Sequence, residues 1–213
     1  MHKDIDMMRE YRAAVICIGG AGCNIAGQLM DRLCRADIVA VNTDSIFAGV
    51  EADYKFVLPA AEGGDISAAA ESVRASESDL RAFIRNYNFI YIVSAMGGCT
   101  GTGIAPEIAA LCALEKIPCT AMAVMPFSFE DRQLTTLEGF RNLHAQCNDA
   151  VRFDNDSILS KEGLSFADAM DYANDLICDS IEETINELPI IRRRVPPADA
   201  DAMVGMGCRI ATS

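Results

Sequence analysis

Gly97-Gly98-Cys99-Thr100-Gly101-Thr102-Gly103 stands between an apolar run, residues 89–95, and an apolar-periodic segment in which Pro106 falls close to the first turn. The order reads as strand, glycine-rich loop and helix N-terminus, the arrangement in which backbone N–H groups and the helix dipole converge on an anion. Glycines let the backbone approach a phosphate with no Cβ in the way, and threonine hydroxyls add donors beside the amides. Four glycines and two threonines in seven residues therefore read as a phosphate cradle, with a merely flexible loop as the plainer alternative.

A second unit of the same kind lies upstream. The strand 12–18 runs into Gly19-Gly20-Ala21-Gly22-Cys23-Asn24, and Ile25, Leu29 and Leu33 then mark a helix. The position three after Gly22 is Ile25, so the spacing is not G-x-G-x-x-G, and no G-K-[ST] occurs. A nicotinamide or flavin fingerprint and a P-loop are both unsupported. Further along, a short buried strand 38–41 ends in Asn42-Thr43-Asp44, and a strand 55–58 is followed by a loop, 59–64, that ends in Gly63-Gly64. A helix is expected over 66–85 with Ala68, Ala69, Val73, Leu80 and Ile84 inward. After the cradle come a helix from Ile104 to about Lys116, a strand 119–125, a loop 125–132, a helix 136–146 and a strand from Val151 that breaks at Asp154-Asn155-Asp156. The longest helix, 166–188, has Phe166, Met170, Ala173, Ile177, Ile181, Ile185 and Leu188 at spacings of three and four. Pro189 stops it.

Strands alternating with helices predict an α/β, Rossmann-like doubly wound, mainly parallel sheet with helices on both faces. In such a sheet the loops at 20–24, 42–44, 63–64, 97–103 and 127–132 share one edge, where open α/β sheets bind their ligands. Residues 1–11 read as an N-terminal extension, 12–188 as the ligand-binding domain ending in the long helix, and 189–213 as a linker and short remnant that begins near Arg192-Arg193-Arg194, a solvated basic run.

Composition narrows the function classes. The chain has 213 residues, 51% of them apolar, and a formal charge of −13 from 18 basic and 31 acidic side chains. Nucleic-acid binding depends on clustered Lys and Arg, so it is excluded, while a small phosphorylated ligand held by amides is compatible. No stretch approaches the roughly 18 apolar residues of a membrane span, and the first ten residues are not a signal peptide; a cytoplasmic protein with no membrane span is expected. Nine cysteines are scattered without a C-x-x-C pair, so a metal site and disulfides are both unsupported and most read as small core residues. His144, among polar neighbours on a helix, pairs with no nucleophile.

The cradle 97–103 closely resembles the signature loop of the tubulin/FtsZ superfamily, with Cys99 where a glycine is usual. Residues 19–24 resemble its first loop, 42–44 its second and 126–130 its fifth. Asn155-Asp156 stands before the central helix, and Tyr172-Ala173-Asn174-Asp175 is similar to the FtsZ pattern within it. The resemblance implies the GTP-binding domain of a filament-forming GTPase of cell division, a cytoskeletal hydrolase, with the second domain missing. Gly20, Ala21 and Gly22 would line the α- and β-phosphates; Gly97, Gly98, Cys99, Thr100, Gly101, Thr102 and Gly103 would form the β/γ-phosphate loop. Glu130 would hold the ribose and Arg132 a phosphate or the ribose. Asn24, Asn155 and Asp175 would read guanine, a carboxylate being able to accept from both N1–H and N2–H₂. Met170 occupies the position of an aromatic residue near the base, with Tyr172 or Phe166 as substitutes. GTP or GDP is the expected ligand, with Mg²⁺ held mainly through phosphates and water and Asp44 as an outer-shell partner.

Departures from the pattern concern hydrolysis. The third loop is short, only Arg132 follows the fifth, and the Asn-x-Asp-x-x-Asp loop that positions water in the neighbouring subunit's site corresponds here to Pro196-Pro197-Ala198-Asp199-Ala200-Asp201. Asp199 and Asp201 are the catalytic candidates, acting in trans on a Pro-rich segment that positions them poorly. Met203 to Gly207 is similar to the start of the second domain. Two roles follow: a head-to-tail self-associating GTPase with slow or partner-dependent turnover, or a non-hydrolysing GDP/GTP-binding regulator that binds or caps filaments of a full-length relative.

Overall fold

The computed structural model describes residues 11–43, 49–59, 65–159, 165–189 and 209–210. Asp44, Gly63, Gly64, Arg192 to Arg194, Asp199, Asp201 and 203–207 lie outside the described residues. In chain order the elements are β1 (Ala13–Ile18), α1 (Gly19–Arg32), β2 (Asp37–Asn42), β3 (Tyr54–Val57), α2 (Ile66–Ala75), α3 (Glu77–Ile84) and β4 (Phe89–Ala95). They continue as α4 (Cys99–Leu114), β5 (Cys119–Met125), α5 (Gln133–Gln146), β6 (Asp149–Asp154), α6 (Asp156–Leu159), α7 (Phe166–Glu187) and β7 (Arg209–Ile210).

All six side chains of β1, AAVICI, are buried, as expected of a strand covered on both faces. The sheet order is β6-β5-β4-β1-β2-β3-β7. The first six strands are parallel, and β7 lies antiparallel beside β3. Ile16 sits opposite Val39 of β2 and Ile92 of β4, so the chain's most apolar strands stack at the centre. Alternate β1 residues point to opposite faces: Ala14, Ile16 and Ile18 join Val73, Leu80, Phe83, Ile104, Ile108 and Leu143 from α2 to α5, whereas Val15 and Cys17 join Ile25, Leu29, Ile177, Ile181 and Ile185 from α1 and α7. Each such fully buried aliphatic side chain contributes about 1.5–3 kcal/mol.

Three boundaries depart from the sequence reading, each for a local reason. The glycine stretches at 19–23 and 99–103 are not loops ahead of a helix but the first turns of α1 and α4; consequently Pro106 sits inside α4. A single helix over 66–85 is replaced by α2 and α3, because Ser76, at φ −111° and ψ 14°, leaves helical geometry and caps one helix as the other begins. The last parallel strand starts at Asp149, two residues before Val151, its N-terminal end pinned through Thr120 opposite Asp149. α7 buries Ala173, Ile177, Ile181 and Ile185 of its expected apolar face while Phe166 stays exposed, and its start is fixed by Ser165 accepting from Asp168 N–H while the Asp168 carboxylate accepts from Ser165 N–H at 3.3 Å.

Candidate functional site

Because the six strands are parallel, their C-terminal ends share one edge, and the chain reverses its winding between β1 and β4, the switch point at which α/β sheets hold ligands. A cavity of about 350 Å³ opens there. Its floor is Ile18 and Ala95 at the ends of β1 and β4, and two helix N-termini face it: Gly19, Gly20 and Ala21 of α1, and Gly98, Cys99, Thr100 and Gly101 of α4. Neither helix has a side-chain cap or an acidic residue in its first turn. The leading N–H groups are thus left for an external anion, which the two dipoles favour.

The cradle's shape depends on two glycines. Gly97 has φ +88°, in the left-handed region, and donates its N–H to Thr102 Oγ1 at 2.9 Å. A Cβ on Gly101 would collide with the Ala95 carbonyl oxygen and lie 2.6 Å from Ser94 Oγ, so glycine is what lets α4 descend onto β4. Thr102 is buried, and its hydroxyl oxygen closes the loop by accepting the bond from Gly97.

One wall is the segment after β5. Glu130 lines the cavity while one of its oxygens accepts from Phe127 N–H at 2.9 Å. Asp131, at φ 53°, turns the chain so that Arg132 also lines it, and the Arg132 carbonyl accepts from Thr136 Oγ1 at 2.7 Å. Among the described residues these are the single carboxylate and the single cation of the lining. The far end holds Asn155, Met170, Asn174 and Ile177. Asn155 is 93% buried, being 7% exposed, and its Oδ1 has no hydrogen-bond partner. A buried acceptor without a donor is costly, so this end of the cavity offers an acceptor for a donor from outside the protein.

Of the residues expected at the site, the cavity brings together Gly20, Ala21, Gly98, Cys99, Thr100, Gly101, Glu130, Arg132, Asn155 and Met170. Gly22, Gly97, Thr102 and Gly103 do not line it; they support it, Gly22 against β1 and Gly103 against α2. Asn24 is exposed on α1 and Asp175 is turned away, 64% exposed and paired with Arg32 at 3.3 Å. Asn174 was missed in the sequence, although Met170, Asn174 and Ile177 repeat at four and three on one face of α7. Tyr172 and Phe166 do not line the cavity, Phe166 instead packing on Phe127 with ring centroids 5.4 Å apart.

Residues 12–162 match the tubulin/FtsZ family, GTPase domain. The chain belongs to that family. Its relatives include the cell division protein FtsZ 2 of Haloferax volcanii, 26% identical over 215 residues, covering 95% of this chain and 53% of the relative. The cell division protein FtsZ of Wigglesworthia glossinidia brevipalpis is 28% identical over 195 residues, covering 85% of this chain and 50% of the relative. Among solved structures, an empty FtsZ dimer from M. jannaschii superposes with a TM-score of 0.78 at 24% identity, covering 94% of this chain and 62% of that one. CetZ2 from Haloferax volcanii, a GTPγS-bound protofilament, gives 0.69 at 21% identity, with 82% and 58% covered. The chain thus spans about half the length of the FtsZ relatives it matches. The family match stops at residue 162, before α7, whereas the alignment with the Haloferax relative and the superposition on the M. jannaschii structure both extend over most of the chain.

Proposed function

We propose that this tubulin/FtsZ-family chain binds GTP and GDP in the cavity at the strand ends, with residues 12–188 as the binding domain and 189–213 as a linker and remnant. The observation that carries the reading is the convergence of two uncapped helix N-termini on a cavity whose far end holds the unpartnered Asn155 Oδ1. In this reading Gly20 and Ala21 approach the α- and β-phosphates, and Gly98, Cys99, Thr100 and Gly101 the β- and γ-phosphates. Arg132 neutralises phosphate charge, Glu130 accepts from a ribose hydroxyl, and Met170 packs on the base. The Asn155 and Asn174 carboxamide oxygens accept from guanine N1–H and N2–H₂; adenine has no such donor pair. Mg²⁺ arrives with the triphosphate, which supplies its oxygen ligands together with water.

The chain acts in the cytoplasm and self-associates head to tail, which would let Asp199 and Asp201 of one copy approach the phosphates of the next. Turnover is slow, since Pro196 and Ala198 stand where a water-positioning loop has its asparagine and first aspartate. The same replacement favours a second reading, a nucleotide-bound regulator that caps filaments of a full-length relative. Calorimetry tests the binding claim: GTP and GDP bind, and ATP at least about tenfold more weakly, a difference of about 1.4 kcal/mol. Equal affinities for ATP and GTP reject it.

A further inference from the structure

The cradle at the start of α4 rests on a second helix start, that of α5, and the two interlock through a pair of threonines and a pair of glycines. Thr102, in the first turn of α4, accepts from Gly97 N–H through Oγ1 at 2.9 Å. Its Cγ2 fills the space beside Gly139 of α5, where a Cβ would collide with it. Conversely Thr136, one turn before Gly139 on the same face of α5, sets its Oγ1 against Gly97, where a Cβ would lie only 2.8 Å away. Each threonine thus occupies the room that a glycine of the other segment leaves open. Thr102 and Thr136 are 5% and 3% exposed, so neither contact gives way into solvent.

The interlock also carries Arg132. This residue caps α5 in non-helical geometry, φ −118° and ψ 18°. Its carbonyl accepts twice from Thr136, from N–H at 3.0 Å and from Oγ1 at 2.7 Å. Its Cβ would stand 3.4 Å from a Cβ on Gly97. The side chain then lines the cavity together with Gly98, Cys99, Thr100 and Gly101. The cation and the amide cradle are therefore anchored through the same four residues, Gly97, Thr102, Thr136 and Gly139. Contacts this close hold one arrangement, because even a small gap forfeits much of the attraction between packed atoms.

We propose that Thr136 and Gly139 are positioning residues that keep the Arg132 guanidinium and the α4 amides in register as one phosphate clamp. This role rests on the phosphate reading of the cavity and adds to it that Arg132 acts only while α5 is seated on α4. A methyl on Gly139 meets Thr102 Cγ2, which cannot turn aside without giving up the Gly97 bond. The first turn of α5 then lifts, and Arg132 leaves the cradle. Asn155 and Asn174 stand on other elements, so the choice between guanine and adenine is retained.

Calorimetry on the full chain compares the parent with Arg132→Ala, Gly139→Ala and the double variant, below the melting temperature of each. Each single change is expected to weaken GTP binding about tenfold, the loss of one charge-assisted contact. The double variant should fall within about twofold of either single one, since both remove the same contact. Adding Thr102→Ser to Gly139→Ala removes Cγ2, keeps the hydroxyl for Gly97 and restores most of the affinity. If Gly139→Ala melts below the working temperature, Thr136→Val takes its place and Thr136→Ser is the rescue. Losses that multiply in the double variant overturn the clamp, as does a Gly139→Ala protein that melts earlier yet binds GTP like the parent. A parent that binds no nucleotide overturns the phosphate reading and the clamp together.

Discussion

Asn174 and Asp175 are neighbours in sequence and about 100° apart around a helix, and that rotation decides which one faces the cavity. Asn174 shares the cavity face with Met170 and Ile177. Asp175 instead joins Asp179 and Glu182 around the Arg32 guanidinium, a half-exposed ion-pair group that ties α1 to α7. Leaving buried base donors unpaired costs about 1–3 kcal/mol. Asn174→Ala is therefore expected to weaken GTP binding about tenfold and to remove most of the preference over ATP, with Asp175→Ala within about twofold of the parent, both read by calorimetry. Loss of discrimination in Asp175→Ala alone would assign the base-reading role to the carboxylate. Two glycines of the cradle make a separate contrast. A methyl at Gly98 meets open space, whereas one at Gly101 runs into Ala95 and Ser94. Overpacking of this kind costs about 1–3 kcal/mol, so Gly101→Ala should lower the melting temperature clearly and Gly98→Ala should leave it nearly unchanged.

At the level of elements, the end of α4 is clamped to α3. The Glu115 carboxylate lies 2.5 Å from Arg85 Nε and 2.5 Å from Arg81 Nε, and the two guanidiniums, Arg85 foremost, pull its pKa from 4.5 down to about 2. A depressed carboxyl pKa contributes stability that is present above the unfolded value and lost as pH falls towards the folded one. Thermal melts from pH 5 down to pH 2 should therefore show the parent losing its advantage over Glu115→Gln progressively across that window. A gap between the two proteins that stays constant over the window would remove Glu115 from the acid response. Element types were largely legible: apolar runs marked the buried strands β1, β2, β4 and β5, and i, i+3, i+4 spacing marked α7. Boundaries were less so. Ser76 splits α2 from α3 through its own backbone geometry, and glycines that favour loops in isolation enter α1 and α4 because packing against β1 and β4 holds them helical.

Across the whole molecule, parallel pairing carries the polar and glycine-rich strand ends to one edge, and the winding reversal beside β1 and β4 leaves room between them. The proposed function at this scale concerns copies of the chain in contact. With GTP and Mg²⁺, light scattering should rise above a threshold protein concentration, and phosphate release should be slow and dependent on concentration. No scattering, with GTP bound and no phosphate released, would favour the regulator reading instead.

The sequence alone determined the strand and helix alternation, the parallel sheet and the two glycine-rich segments where strands meet helices, because these depend on short-range pattern: apolar runs, helical spacing, and residues without a Cβ. Family membership was legible from the same motifs, with the signature loop at 97–103 as its clearest mark. Only the tertiary structure decided which of those residues face the cavity. It turned Asn174 inward and Asp175 outward, set Thr102 to bracing the cradle, left Asn155 Oδ1 without a partner, and brought Thr136 and Gly139 against the cradle. Each of these depends on side-chain direction and on contacts between residues far apart in the chain, which no local pattern encodes.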